Sequence, residues 1–213
     1  MFTKRNQPSS HHMIQVFENC LQFRGRLVNH YALLEEERII LVDDGFFSTR
    51  PEQTIANLES LGRKPKEISH ILLIHGHIDH TLNLSRWKEL TDARILAPRI
   101  DEKHIEGTYP YRGISRICGW MEAICRGLFH YHPPEIDEWF SAGGHIPVWG
   151  GLEVILCQGI PWVTAGFTRP QKTAFFQETF SRTTAITQNC PHLGSMWIEL
   201  KFSRAWHALP NSI

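Results

Sequence analysis

The sequence predicts a layered α/β domain, and three observations carry that prediction. Short apolar runs alternate with helix-period segments between Ile14 and Ala97. One run, Ile71–Ile74, is wholly apolar and only four residues long, as expected of a strand buried on both faces. A chain of 213 residues is long enough for one domain with a substantial core.

The elements follow in order. Ile14–Phe17, Tyr31–Leu34 and Ile39–Val42 read as strands, the last closed by the turn signal Asp43-Asp44-Gly45. A helix starts near Pro51, after Ser48 and Thr49, keeps Ile55, Leu58 and Leu61 on one face, and stops at Gly62. After the Ile71–Ile74 strand, a second helix carries Leu84, Trp87 and Leu90, and Ala93–Ala97 returns as a strand stopped by Pro98. Residues 99–114 read as loop. From Ser115, the positions Ile117, Trp120, Met121, Ile124 and Leu128 form the apolar stripe of an amphipathic helix ended by Pro133-Pro134. Leu152–Leu156 is a further strand.

Lysine and arginine (22) balance aspartate and glutamate (22), so no global field recruits nucleic acid or an anionic membrane. No apolar run approaches the length of a membrane span, and the stretch Met1–His12 is polar, unlike a signal peptide. Five cysteines without a CxxC pair read as reduced thiols of a cytoplasmic protein. The expected partner is a small-molecule substrate, with no nucleic acid and no membrane.

Thirteen histidines are unusual, and three of them cluster at His75-Gly-His77-Ile-Asp79-His80. The run leaves a buried strand, where alternate residues point the same way, so His75 and His77 can grip one metal ion. The turn that follows presents Asp79 and His80 to a second position beside it. Imidazole and carboxylate together suit zinc, and less specifically iron or manganese. Two such ions can lower the pKa of a shared water and clamp an oxyanion, with Asp79 both ligating and orienting the attacking oxygen. Solvated loop histidines are the bland alternative, and four ligand-type residues in six positions argue against it.

The run Ile71–His80 (ILLIHGHIDH) resembles the strand and HxHxDH motif of the metallo-β-lactamase superfamily. Ile39–Gly45 (IILVDDG) is similar to the strand that precedes that motif, and Trp149–Ile155 (WGGLEVI) to the strand that delivers the next ligand. The resemblance covers about residues 13–156. It implies an αβ/βα sandwich with two metal ions, zinc in the first instance, at one edge, and hydrolysis of an ester-, thioester- or lactam-like bond. By the same resemblance His75 and His77 are ligands of the first metal, Asp79 and His80 of the second. Asp44 would be the carboxylate that orients a ligand histidine. Ile74 stands where the family usually has threonine, and Thr81-Leu82-Asn83-Leu84 where it usually has glycines.

The second half departs from that pattern. After Leu156 the only histidines are His192 and His207, and the last aspartate is Asp137. The stretch that supplies the family's third histidine and the one that supplies its bridging aspartate are both missing. Codons compatible with Cys157–Arg169 (CQGIPWVTAGFTR), read two bases out of phase, permit PGHTLGHCGFYS. Phe175–Arg182 (FFQETFSR), read in that same phase, permits FSGDFFA. These are the two missing stretches, in the expected order. A single-base deletion near codon 156 would produce this chain from a regular family member.

The sequence therefore divides into a polar tail (1–12), a family-like part (13–156) and an out-of-frame tail (157–213) that should leave the second half of the sandwich incomplete or irregular. The alternatives to an active hydrolase are a catalytically inactive frameshifted fragment and a non-catalytic binding module on the same scaffold. Among the remaining features, Tyr109, Tyr111 and Arg112 lie where a substrate-contacting insertion is plausible. His130, His132 and His145 read as surface or loop residues, and Cys118 and Cys125 as packing residues.

Overall fold

The computed structural model describes residues 13–25, 28–46, 49–108, 116–158, 163–168, 174–178 and 183–187. Two sheets lie at its centre. The first has seven strands in sequential order: β1 (Met13–Phe17), β2 (Cys20–Phe23), β3 (His30–Leu34), β4 (Ile39–Val42), β5 (Ile68–Leu72), β6 (Arg94–Pro98) and β7 (Glu138–Phe140). β1 to β4 form an antiparallel meander, whereas β4 to β7 pair in parallel. The parallel pairs β4/β5 and β5/β6 need crossovers, and helices α1 (Pro51–Ser60) and α3 (Leu84–Thr91) supply them.

The two-residue side-chain period sorts the core into two layers. Tyr31, Leu33, Ile40, Val42, Leu72 and Leu96 point to one face, where they meet Ile146, Leu152, Val154 and Phe167 of the second sheet. Ala32, Ile39, Leu41, Ile71, Ile95 and Ala97 point to the other and meet Leu58 of α1 and Leu84 and Trp87 of α3. β4 lies between both layers, which is why Ile39–Val42 is apolar at every position and completely buried. Trp87, also fully buried, donates its indole N–H to the Asp44 carbonyl at 3.0 Å and so ties α3 to the end of β4.

Most predicted elements fall where the sequence placed them. Pro51 is the first residue of α1, with Arg50 before it making no side-chain cap, and Gly62 ends the helix at φ +79°; Ser48 lies outside the described residues. β2 is an addition to the sequence reading: four residues after a tight turn are too few to show an alternation. Within 99–114, read as loop, a short helix α4 (Glu102–Ile105) follows a 3-10 turn at Arg99–Asp101. The sequence helix from Ser115 is α5 (Arg116–Leu128). His145 is exposed, in the short strand β8 (His145–Ile146) and not in a loop.

The second sheet extends past residue 156: β9 (Leu152–Gln158) pairs with β10 (Val163–Thr168), and β11 (Ala174–Glu178) and β12 (Thr183–Thr187) continue the antiparallel sheet in the order β12-β11-β10-β9-β8. The segments β10–β12 are rich in threonine and phenylalanine, residues that suit a pleated surface. Trp197–Phe202, His11, His12, His192, His207, Tyr109, Tyr111 and Arg112 lie outside the described residues. Among the described residues, no helix is long and apolar enough to cross a membrane, and none follows β9.

Candidate metal centre

The parallel strands β4, β5 and β6 end side by side, and each delivers acidic or imidazole side chains to that edge. β4 leads into Asp43 and Asp44, β5 into His75–His80, and β6 into Asp101 and His104. Parallel strands present their carboxyl ends together, so residues far apart in sequence converge without any local signal.

The motif loop is held from both sides. Asp101, which is 3% exposed, accepts hydrogen bonds through Oδ2 from His75 Nδ1 and from the Gly76 backbone N–H, both at 3.0 Å. Only glycine fits at 76: a Cβ would stand 2.7 Å from the Asp101 Cβ and 3.1 Å from its carbonyl oxygen. On the other side Asp43, in the left-handed region at φ +63°, accepts the Ile74 N–H at 3.1 Å through Oδ1. Its Oδ2 lies 3.0 Å from His80 Nδ1. An imidazole engaged at Nδ1 presents Nε2 on the far side of its ring, the arrangement that orients histidine ligands for a metal.

Asp43 thus takes the place expected of Asp44. The left-handed turn at Asp43 carries its carboxylate towards the motif and sends Asp44 towards the helices. Asp44 Oδ2 accepts the Asn83 N–H at 2.6 Å. Burial is the main reason its carboxyl is held well above the usual carboxylate range, opposed by that hydrogen bond and reinforced by Asp43. Gly45 completes the turn at φ +75°, where a Cβ would run into Thr49 Oγ1.

His77 packs edge-on against His75, ring centres 3.9 Å apart. Burial, followed by the neighbouring His75, His80, His104 and Arg126, pushes its pKa far down, so its ring is neutral with a lone pair to offer. The Thr81 hydroxyl, at the end of the short helix α2 (Ile78–Thr81), donates back to the His77 carbonyl at 3.0 Å. Asp79 is the accessible member of the group: its side chain is 27% exposed and its Oδ2 lies 3.9 Å from His80 Nε2. His75 and His80 rings are 5.9 Å apart, so His75, His77, Asp79 and His80 do share one corner of the fold.

Three contributors carry no local sequence signal. Asp101 anchors His75. His104 brings a fourth imidazole within 5.5 Å of the His77 ring and 6.5 Å of the His75 ring. Glu122 of α5 accepts the Ile78 N–H at 3.2 Å and so supports the start of α2. A carboxylate just beyond the parallel strand β6 was the one clue to Asp101.

The donor chemistry fits zinc: neutral or carboxylate-anchored imidazoles beside an accessible aspartate. Among the described residues, however, no group of three or more histidine, cysteine, aspartate or glutamate side chains is arranged so that it could hold a metal ion.

A sequence model described as the metallo-beta-lactamase superfamily matches residues 24–156. No curated protein matches the chain. Among solved structures, it is similar to a metallo-beta-lactamase of Cronobacter sakazakii with a HARLDQ motif, at 20% identity and TM-score 0.63, covering 79% of this chain and 62% of that one. It is similar to BJP-1, a subclass B3 metallo-beta-lactamase of Bradyrhizobium japonicum, at 18% identity and TM-score 0.55, covering 78% of this chain and 60% of that one. FEZ-1 metallo-beta-lactamase of Legionella gormanii matches at 14% identity and TM-score 0.60, over 86% of this chain and 64% of that one. The chain therefore spans about three-fifths of the length of these relatives, with which it shares the fold. With the family match covering more than half of the chain, from just before β3 into β9, the chain belongs to the metallo-beta-lactamase superfamily.

Proposed function

We propose that this chain carries the motif half of a metal-dependent hydrolase acting on a small molecule with an ester-, thioester- or lactam-like bond. The observation that carries the reading is the convergence of His75, His77, Asp79 and His80 at one strand edge, with His75 and His80 set by Asp101 and Asp43. His75 and His77 would hold a first zinc ion, and Asp79 and His80 a second. Bound zinc supplies Lewis acidity and acidifies a water molecule. Asp79, open to solvent where its neighbours are buried, would orient that water and accept its proton. Burial keeps competing water from the His75 and His80 rings. The test is zinc content per chain, followed by a panel of thioester, lactone and β-lactam substrates. Turnover that needs zinc and disappears in Asp79→Asn supports the reading; zinc bound without any turnover points to the second one.

That second reading is a catalytically inert product of a frameshifted gene. Three facts favour it: the family match stops at residue 156, no aspartate follows Asp137, and the shifted phase permits both missing motifs. The gene's nucleotides around codon 156 test it directly. A shifted phase that stops at once, or lacks a histidine and an aspartate at those two places, removes it. Restoring the phase should give a chain that retains two zinc ions, where the present chain retains them weakly.

A further inference from the structure

The amphipathic helix α5 is inside out. Its apolar stripe, expected to face the core, faces solvent: Ile117 is 56% exposed, Trp120 67%, Met121 62%, Ile124 69% and Leu128 69%. The opposite face is polar and buried. Glu122 accepts the Ile78 N–H, and Arg126 donates to the Ile105 carbonyl at 2.9 Å, to the His104 carbonyl at 2.5 Å and to Glu122 at 2.9 Å. Those contacts fix the rotation of the helix, so turning it to bury the stripe would tear charged groups from their partners.

We infer that this stripe is the contact surface of a homodimer, in which α5 of one copy packs against α5 of the second across a two-fold axis. Five observations select a second copy as the occupant. The stripe is self-complementary in the simplest sense: the only exposed charge on α5 is Arg116, at its first residue. Two chains of formal net charge zero do not repel one another on approach. The five side chains leave on the order of 600 Å² of apolar surface open per copy, at the top of what monomers expose and close to the roughly 800 Å² a standard interface takes from each partner. Trp120 and Met121, the residue types enriched at interface centres, sit mid-stripe. Exposed Ala123 and Gly127 lie beside Trp120, and nothing stands within 4 Å of the Gly127 Cβ position, so a second helix can approach closely there. An anionic membrane is a poorer fit. Interfacial helices carry lysine and arginine along the polar face, and the polar face of α5 is turned into the protein.

The experiment is sedimentation velocity of the full chain at increasing concentration, beside Trp120→Glu and the double variant Trp120→Glu/Ile124→Glu. Both substitutions are at exposed positions, and circular dichroism checks that the fold is kept. The expected result is a defined species of twice the 24.7 kDa chain mass, a tenfold or greater weakening in Trp120→Glu, and a monomer in the double variant. Three results overturn the inference. One is a wild-type monomer throughout, which would mean that the chain's own remaining residues cover the stripe. Another is self-association or indefinite aggregation unchanged in the double variant. The last is a monomer that co-sediments with phosphatidylcholine/phosphatidylglycerol vesicles through Trp120.

Discussion

Replacing Asp101 by asparagine isolates the electrostatic part of the anchor beneath the motif. Asp101 Oδ2 receives two donors at 3.0 Å, His75 Nδ1 and the Gly76 N–H. Asparagine is the same size and keeps one oxygen, so the Gly76 hydrogen bond can survive while the negative charge opposite the imidazole is lost. Outer partners of histidine ligands are worth about 10- to 100-fold in metal affinity, which is about 1.4–2.7 kcal/mol. The metal-free chain should lose no more than about 1 kcal/mol, the worth of one hydrogen bond. Asp101→Ala removes both bonds and strands a buried N–H, so it should cost the metal-free chain about 1–3 kcal/mol as well. Competition against a chromophoric chelator reports zinc affinity, and urea denaturation reports stability. A folded Asp101→Asn chain that binds zinc as tightly as the parent would refute the anchoring role, as would a parent whose zinc binding ignores His75.

Gly76→Ala places a Cβ 2.7 Å from Asp101 Cβ and 3.1 Å from Ile105 Cγ1; separating these groups should cost about 1–3 kcal/mol, read from the urea midpoint. Arg126→Met leaves the Glu122 charge buried without its partner and should cost about 3–5 kcal/mol, with part recovered in Arg126→Met/Glu122→Gln. Burial pushes the His30 imidazole down to about 3 from an ordinary 6.5. The unfolded chain therefore binds the extra proton first, so stability from this residue is complete above pH 6.5 and drains away as pH falls towards 3. By pH 4 the loss reaches about 3 kcal/mol, and a His30→Gln chain should lack that component in paired denaturation curves at pH 7 and pH 4.

The ordered first half was legible because its local patterns agree with its tertiary environment. β4 and the run at Ile71 are apolar where both faces are covered, and Pro51 and Gly62 mark a helix whose ends they do bound. The HxHxDH run shows its donors because all four come from one loop. Its supports were illegible for the opposite reason: Asp101, His104 and Glu122 meet the loop only through strand order and helix packing. Choosing Asp43 over Asp44 required the sign of one backbone angle, which two adjacent aspartates do not reveal. α5 was legible as an amphipathic helix, but periodicity reports which residues share a face, not which way that face turns. β10–β12 carried little pattern to read, since short segments rich in threonine and phenylalanine show strand propensity without a clear period.

The end-to-end alignment of β4, β5 and β6 also has a kinetic side. Asp43, the histidine run and Asp101 lie within about sixty residues of one another, joined by two compact crossovers. Loop closure over such spans is fast compared with pairing distant strands. As a nascent chain leaves the ribosome, this unit can assemble around Trp87 before anything beyond Leu156 has been made. Slowest amide exchange should therefore fall in β4–β6, with β10–β12 exchanging far sooner. A change to the chain beyond Leu156 would then meet the corner of Asp43, the histidine run and Asp101 already built, and leave it standing.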